Sequence, residues 1–429
     1  MRNPQSEKIL DDQECFEIVR KKLSQESMEH YKLVSYEVVP LSSCSGFMGQ
    51  YFKLKATVAS PLDTRKIEFF TKLPPSSDSP QHDFNIEMGS FRKEVDLYTI
   101  VFPEVLSGLD KRCIPECFLG LDDAVIVLED MANSGFVMTD KYVPFDYEHC
   151  AVMMRTLGKF HAKSMIFEEL AKKSLHDEFS HCMHETLWPL KGQRATKMFA
   201  AAVKGSISMV DLLTELSEEQ KQTYKEKIAN LSVNHTNKLL PSSKYRNVLC
   251  HGDLWANNIL FKYNSEGKPV SCCLIDFQLA RYNPPVHDIM CFLQFSTTRQ
   301  LRADHLDDLL RIYHESVTES LAESSLDAQK VFPWEELGAS AAELRTMCMV
   351  HGILNVPIML LDEAAVSKYF VLEPQRLEEL LYVDRTPLVC GQYEEVPAYR
   401  ERMRDAFLEL HDLIANNNLT AVDIDYTTQ

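Results

Sequence analysis

The chain has 429 residues, 45% hydrophobic and 25% charged, with 63 Asp and Glu against 45 Lys and Arg and a net charge of −18. Those proportions belong to a folded protein rather than a disordered one. The acidic surface repels phosphate backbones and anionic headgroups, which argues against nucleic acid and membrane-surface partners. A single core seldom grows past about 250–300 residues, so the length predicts two or three domain-sized units or one two-lobed body.

The first thirty residues are polar and lack the apolar core of a secretory signal. The longest apolar stretch, Met347 to Leu361, is interrupted by His351, Gly352, Asn355 and Pro357, and it falls short of the roughly 20 residues a membrane span needs. Twelve cysteines without an export signal read as reduced thiols. Cys113 and Cys117 have no second pair at zinc spacing. A cytoplasmic protein is expected.

Asp11 and Asp12 open an amphipathic helix with Cys15, Phe16, Val19 and Leu23 on one face. Strands are predicted at Val34–Leu41, Tyr51–Ala59 and Lys66–Leu73, separated by turn signals at 43–46 and 61–63. After a Pro- and Ser-rich loop at 74–80, apolar residues at 84, 88, 91, 95 and 98 form one helical stripe. Two further strands, Cys117–Leu121 and Ala124–Leu128, complete a sheet-rich segment. Beyond Met131 the pattern is mostly helical, at about 145–170, 195–215, 218–239, 285–297, 303–323, 341–361 and 396–415. An α+β protein is predicted, with a small antiparallel-sheet lobe carrying one inserted helix, residues 1–131, and a large helical lobe, residues 132–429.

One β patch interrupts the helices, and it carries the chemistry. Val248-Leu249-Cys250 leads into His251-Gly252-Asp253, and Asn258 opens a strand that turns at Gly267 and returns through Ser271–Asp276. A hairpin centred there places Asn258 roughly opposite Asp276. Two carboxylates and an amide oxygen suit a hard cation such as Mg²⁺, which also offsets phosphate charge. In phosphoryl transfer a separate carboxylate orients the attacking hydroxyl and takes its proton. Asp253 fits that role, and Asn258 and Asp276 fit the metal.

His251-x-Asp253-x4-Asn258 followed by Ile275-Asp276-Phe277 resembles the catalytic loop and metal-binding Asp of the kinase-like phosphotransferases. The extended run His251-Gly-Asp-Leu-Trp-x-x-Asn258 is similar to that of the ecdysteroid kinase-like family, relatives of choline and aminoglycoside kinases. Val127-Leu-Glu-Asp-Met131, Phe160-His161-Ala162 and Pro285-x-x-Asp288 resemble the same family. The resemblance implies a protein kinase-like fold, ATP and Mg²⁺ as cofactors, and Lys72 with Glu94 as the pair that positions the nucleotide. It places adenine against backbone groups of Glu129 to Met131 and the phosphates near Gly46 and Gly49, in a turn that is only a weak glycine-loop signal by itself. His251 reads as a support of the catalytic loop rather than an acid or base. Asp288 reads equally as a helix cap or a brace of that loop, His161 as a packed core residue, and Trp255 as either loop packing or acceptor-pocket wall.

Phe277 is followed by Gln278 rather than Gly, and eleven residues separate Asp276 from Asp288. That leaves no room for a long activation loop or a protein-docking segment. A Walker-type loop, a zinc-peptidase motif and a serine nucleophile elbow are absent from the sequence. The expected activity is phosphate transfer to a hydroxyl of a small molecule: an ecdysteroid or other steroid-like alcohol, or a xenobiotic alcohol or phenol. The alternatives are a nucleotide-binding scaffold without catalysis, a carrier without chemistry, and a choline or amino-alcohol kinase-like enzyme.

Overall fold

Alternation of buried and exposed residues sets the first sheet. In the computed structural model, which describes residues 9–41, 49–77, 79–188, 192–233 and 235–416, Leu54, Ala56 and Val58 of β2 (Gln50–Ala59) are all buried on one face. β1 (Lys32–Pro40) and β3 (Thr64–Leu73) flank β2, and β4 (Cys117–Leu121) and β5 (Val125–Glu129) complete a five-stranded antiparallel sheet in the order β1-β2-β3-β5-β4. Helix α1 (Asp12–Gln25) starts at a capping box in which Asp11 and Glu14 bond each other's backbone N–H at 2.7 and 2.8 Å. It buries Cys15, Ile18, Val19 and Leu23 against Leu54, Ala56, Val58, Phe69 and Val127. The chain divides into two compact units, Met1–Met138 with Leu260–Gln278, and Thr139–Ile259 with Leu279–Gln429.

The inserted helix differs from its prediction. The stripe at 84 to 98 is shared by α2 (Pro80–Met88) and α3 (Ser90–Asp96), broken at Gly89. Gly89 has φ +62°, and its N–H donates to the carbonyls of Asn85 and Ile86, a left-handed stop that glycine makes at little steric cost. After α3, Leu97–Val101 is π-helical, and α4 (Phe102–Val105) follows. The first unit also holds a small sheet, β6-β8-β9. There β8 (Ile259–Tyr263) turns through Gly267 (φ +77°) into β9 (Pro269–Leu274), and β6 (Phe136–Met138), a strand the sequence pattern missed, pairs with β8. Asn258 ends a 3-10 turn before the strand rather than opening it.

The second unit is mainly helical. Its 25-residue helix Tyr147–Ala171 runs against another of 25, Arg299–Glu323. The two approach closely at Gly158, where a Cβ would lie 2.7 Å from the Tyr313 carbonyl oxygen. Helix Trp334–Met359 starts earlier than predicted and packs on Val286–Ser296 and Pro397–Asn416. Helices Pro374–Tyr382 and Thr386–Glu395 were not anticipated. A two-stranded ribbon joins β7 (Val248–Cys250) to β10 (Arg281–Asn283), with Arg281 opposite Cys250. The α+β class and the antiparallel-sheet and helical regions agree with the sequence reading. Among the described residues, no single helix is long and apolar enough to cross a membrane.

Candidate active site

In the first unit, β3 carries Lys72 inward, 3% exposed, opposite Ile126 of β5. Its Nζ donates to Glu94 Oε2 at 2.6 Å and to Asp276 Oδ1 at 2.9 Å. Burial alone disfavours the charged amine, but the Asp276 and Glu94 carboxylates outweigh it and hold Lys72 protonated, its pKa raised. Burial pushes Glu94 upward, opposed by the Lys72 charge and by the Phe277 N–H, which donates to Oε1 at 3.1 Å. Asp276 has φ +67°, a conformation costing a non-glycine residue about 1–2 kcal/mol and found disproportionately at functional sites. Its side chain is 22% exposed, and Oδ2 is touched by Gln278 Nε2 at 3.4 Å. The ring of Phe277 is buried edge-on against Tyr98 and Phe102, with centroids 5.9 and 4.8 Å away.

In the second unit, the residues after β7 are clamped from several sides. The Asp288 carboxylate accepts from the His251 N–H at 2.6 Å, from the Gly252 N–H at 2.9 Å, and bonds His161 Nε2 at 3.1 Å. Burial works to raise Asp288, yet the His161 bond, nearby His161 and His251, and the Gly252 N–H hold it below the usual carboxylate range. His161 is fixed in turn by the Tyr313 hydroxyl at 2.9 Å. His161, Cys250 and Asp288 bring potential metal-ligand atoms together, but all three are engaged in hydrogen bonds, the Cys250 thiol to Asn283 and Pro284 carbonyls. Gly252 has φ +83°, and a Cβ there would sit 2.0 Å from the Leu279 carbonyl oxygen; only glycine fits. The Asp253 N–H donates to His251 Nδ1 at 3.3 Å, and Asn258 Nδ2 donates to the Asp253 backbone oxygen and Oδ2 at 2.8 and 2.9 Å. Asn258 thus orients Asp253 with its amide nitrogen, and Oδ1 is the atom with which it could hold a cation. The donors offered by Asp276 and Asn258 are oxygens, the chemistry Mg²⁺ prefers.

The structure therefore brings Lys72, Glu94 and Asp276 together in one unit, and His251, Asp253, Asn258 and Asp288 in the other. Glu129 ends β5 with its carboxylate 3.9 Å from Lys22, so its side chain is directed to a surface lysine. The Met131 side chain is buried with Phe136 and Cys273. Backbone groups are what these two positions offer. Gly49 is packed against the Leu73 carbonyl oxygen, whereas Gly46 lies outside the described residues. Trp255 is buried with the Lys141 ammonium 6.0 Å from its ring centroid. Two supports escaped the sequence reading. Lys53 pairs with Asp130 at 2.7 Å beside β5. Buried Arg281 pairs with Glu185 and donates to the Gly252 carbonyl at 2.9 Å; an arginine in a predicted helical lobe gives no sign of its burial, and only the unrecognised strand β10 could have revealed it.

A model of the ecdysteroid kinase-like family matches residues 43–325. Among solved structures, the chain is similar to a microcompartment-associated aminopropanol kinase at 10% identity and TM-score 0.44, covering 94% of this chain and 99% of that one. It is also similar to a choline/ethanolamine kinase family protein from Mesorhizobium loti at 12% identity and TM-score 0.33, covering 91% and 98%. No curated protein sequence matches it.

Proposed function

We propose that this chain, which belongs to the ecdysteroid kinase-like family, is an ATP- and Mg²⁺-dependent phosphotransferase acting on a hydroxyl of a small molecule. The buried group of Lys72 between Glu94 and Asp276, at 2.6 and 2.9 Å, carries this reading. An ion cluster of that kind is expensive to bury, and it matches the cation and carboxylates with which kinases hold phosphates and metal. Lys72 binds nucleotide phosphates and Glu94 fixes its ammonium. Asp276 and the Asn258 Oδ1 hold the metal, which when bound neutralises charge on the phosphates. Amides near Gly46 and Gly49 add phosphate contacts, and the backbone of Glu129 to Met131 takes the adenine. Asp253, oriented by Asn258, accepts the proton of the attacking hydroxyl as its oxygen bonds to the terminal phosphorus and the bond to the ADP oxygen breaks. His251 and Asp288 hold that loop in shape.

The acceptor is an alcohol on an apolar skeleton, an ecdysteroid or another steroid-like alcohol, or a xenobiotic alcohol or phenol, which would place the enzyme in hormone inactivation or detoxification. The unbridged cysteines among the described residues suit a reducing cytoplasm. Incubation with Mg·ATP and a panel of sterols, phenols and amino alcohols should add one phosphate to an alcohol-bearing member, read by mass. Asp253→Ala should lower the rate by at least about a hundredfold, the usual scale of general-base loss. Transfer that survives Asp253→Ala would exclude the proposed base, and nucleotide binding without transfer to any member would favour the scaffold.

A further inference from the structure

Beside the π-helical turn, the first unit contains a cavity of about 530 Å³ that the proposed reaction does not use. That volume is in the range of small-molecule sites. Tyr98, Thr99, Phe102, Leu106, Phe118 and Gly120 are among its lining residues. Four charged side chains reach it, Lys21, Lys111, Asp110 and Glu116, and they cancel. Lys21 Nζ is spent on the Cys117 carbonyl at 2.6 Å, Lys111 lies 3.6 Å from Glu116, and Asp110 is paired with Arg112. The walls therefore offer no net charge to an ionic ligand. Among the lining residues, Thr99 spends its hydroxyl on the Val95 carbonyl at 2.7 Å, whereas Tyr98 is 4% exposed and its OH has no hydrogen-bond partner among the described residues. Burial raises the phenol well above its ordinary pKa, so it remains a donor. A buried donor left unmatched is costly, and an acceptor arriving with a ligand would recover that cost.

The same lining touches the metal-binding end of the proposed site. Tyr98, Phe102 and Phe277 form a triangle of edge-on rings with centroids 4.8 to 5.9 Å apart. Phe277 follows Asp276 and donates its N–H to Glu94, and Glu94 lies one helical turn before Tyr98. The π-helical stretch Leu97–Val101 lies between Glu94 and Phe102; such irregular turns are frequent at functional sites.

We infer that this cavity is a regulatory site for an uncharged, largely apolar small molecule bearing one hydrogen-bond acceptor, and that its occupation clamps the Tyr98, Phe102 and Phe277 rings and so tightens Mg·ATP binding at Lys72, Glu94 and Asp276. The coupling rests on the phosphotransferase reading; the cavity does not. Nile red, uncharged, apolar and ending in a carbonyl acceptor, serves as the probe. Its fluorescence on titration with the full chain should report saturable binding, weakened at least tenfold in both Ser107→Trp and Thr99→Trp, which fill the cavity from exposed lining positions, and about fivefold in Tyr98→Phe. Mg·ATP affinity, measured by calorimetry, should rise at least threefold with saturating Nile red, and Nile red affinity should rise by the same factor with Mg·ATP, as linkage requires. Binding that persists in both tryptophan variants overturns the cavity as the site. Unchanged or weakened Mg·ATP binding in the presence of bound probe overturns the coupling. Should the protein bind Nile red in the expected variant-sensitive way and Mg·ATP not at all, the phosphotransferase reading and the coupling fail together while the cavity assignment stands.

Discussion

In the proposed reaction Lys72 serves both stability and chemistry. Its ammonium separates two carboxylates that would otherwise face each other in the interior. Lys72→Met removes the cation and leaves Glu94 and Asp276 uncompensated, and breaking a buried charge group this way costs about 3–5 kcal/mol. The variant should lose Mg·ATP binding and also unfold at lower denaturant. Glu94, which burial already pushes upward, then loses the Lys72 charge that opposes the push, so the folded form takes up a proton there as pH falls. The stability deficit relative to the unsubstituted protein should therefore narrow as pH is lowered from neutrality towards the ordinary Glu pKa of about 4.3, measured by urea titration; a deficit that stays constant would mean that Lys72 does not hold Glu94 ionised. Gly252 is the other decisive residue. With a Cβ 2.0 Å from the Leu279 carbonyl oxygen, Gly252→Ala must displace the loop that presents Asp253. Phosphate transfer should fall by about two orders of magnitude, the scale expected when a catalytic group is moved by an ångström, while the circular dichroism of the helices is retained.

Elements of regular period were readable before any fold was known. β2 alternates from Leu54 to Val58, β3 is rich in aromatic residues around Phe69, and the Tyr147–Ala171 helix repeats with a helical period, so each could be placed within a few residues. Three-residue strands such as β6 and β10 have too little period to read, and they owe their existence to partners, β8 and β7. The α2–α3 break is a further case. The apolar stripe from 84 to 98 runs through Gly89, and periodicity alone predicts one helix; the left-handed glycine (φ +62°) interrupts it. A Cβ at Gly89 would meet nothing within 4 Å, so Gly89→Ala pays only for the backbone conformation, about 1–2 kcal/mol. It should lower the urea midpoint modestly and leave nucleotide affinity within about twofold, since a cost of this kind acts on folding rather than on contacts at the site. A tenfold loss of Mg·ATP affinity would show instead that the break itself sets the position of Glu94.

On the scale of the whole molecule, the second unit buries a chain of histidines. His235 Nε2 lies 3.0 Å from His351 Nδ1, so the two rings share one proton, and Trp188 meets both edge-on. His287 lies nearby against the Cys348 thiol. Burial, reinforced by their mutual repulsion and by Arg281 and only partly offset by Glu185, moves His235 and His287 down to about 3 and His351 well below its ordinary value. All three are neutral when folded and become charged below about pH 6.5 when unfolded. The unfolded chain therefore binds more protons between about pH 6.5 and about pH 3, and stability falls as pH drops through that window. Between pH 7 and pH 5 the loss should be of the order of 1–2 kcal/mol per histidine, seen as a lower melting temperature, and His351→Gln should flatten the slope. An unchanged melting temperature across that range would mean that these histidines titrate in the folded protein as they do in the unfolded chain.

The order of the candidate site residues is legible along the chain: a lysine ending the third strand, a glutamate on the following helix, and His-Gly-Asp with an Asn and an Asp after it. These are local signals, carried by residue type and short spacing. Which of these side chains meet depends on packing between distant elements. Lys72 reaches Asp276 across 204 positions, and His161 braces Asp288 across 127. That packing also sets the Asp288 carboxylate on the His251 and Gly252 amides, turns the Asn258 amide nitrogen to Asp253, and packs the Tyr98 ring edge-on to Phe277. Periodicity reports which face of an element is apolar, whereas a hydrogen bond or a ring contact depends on the packing of elements far apart in the chain, and no local pattern encodes that distance.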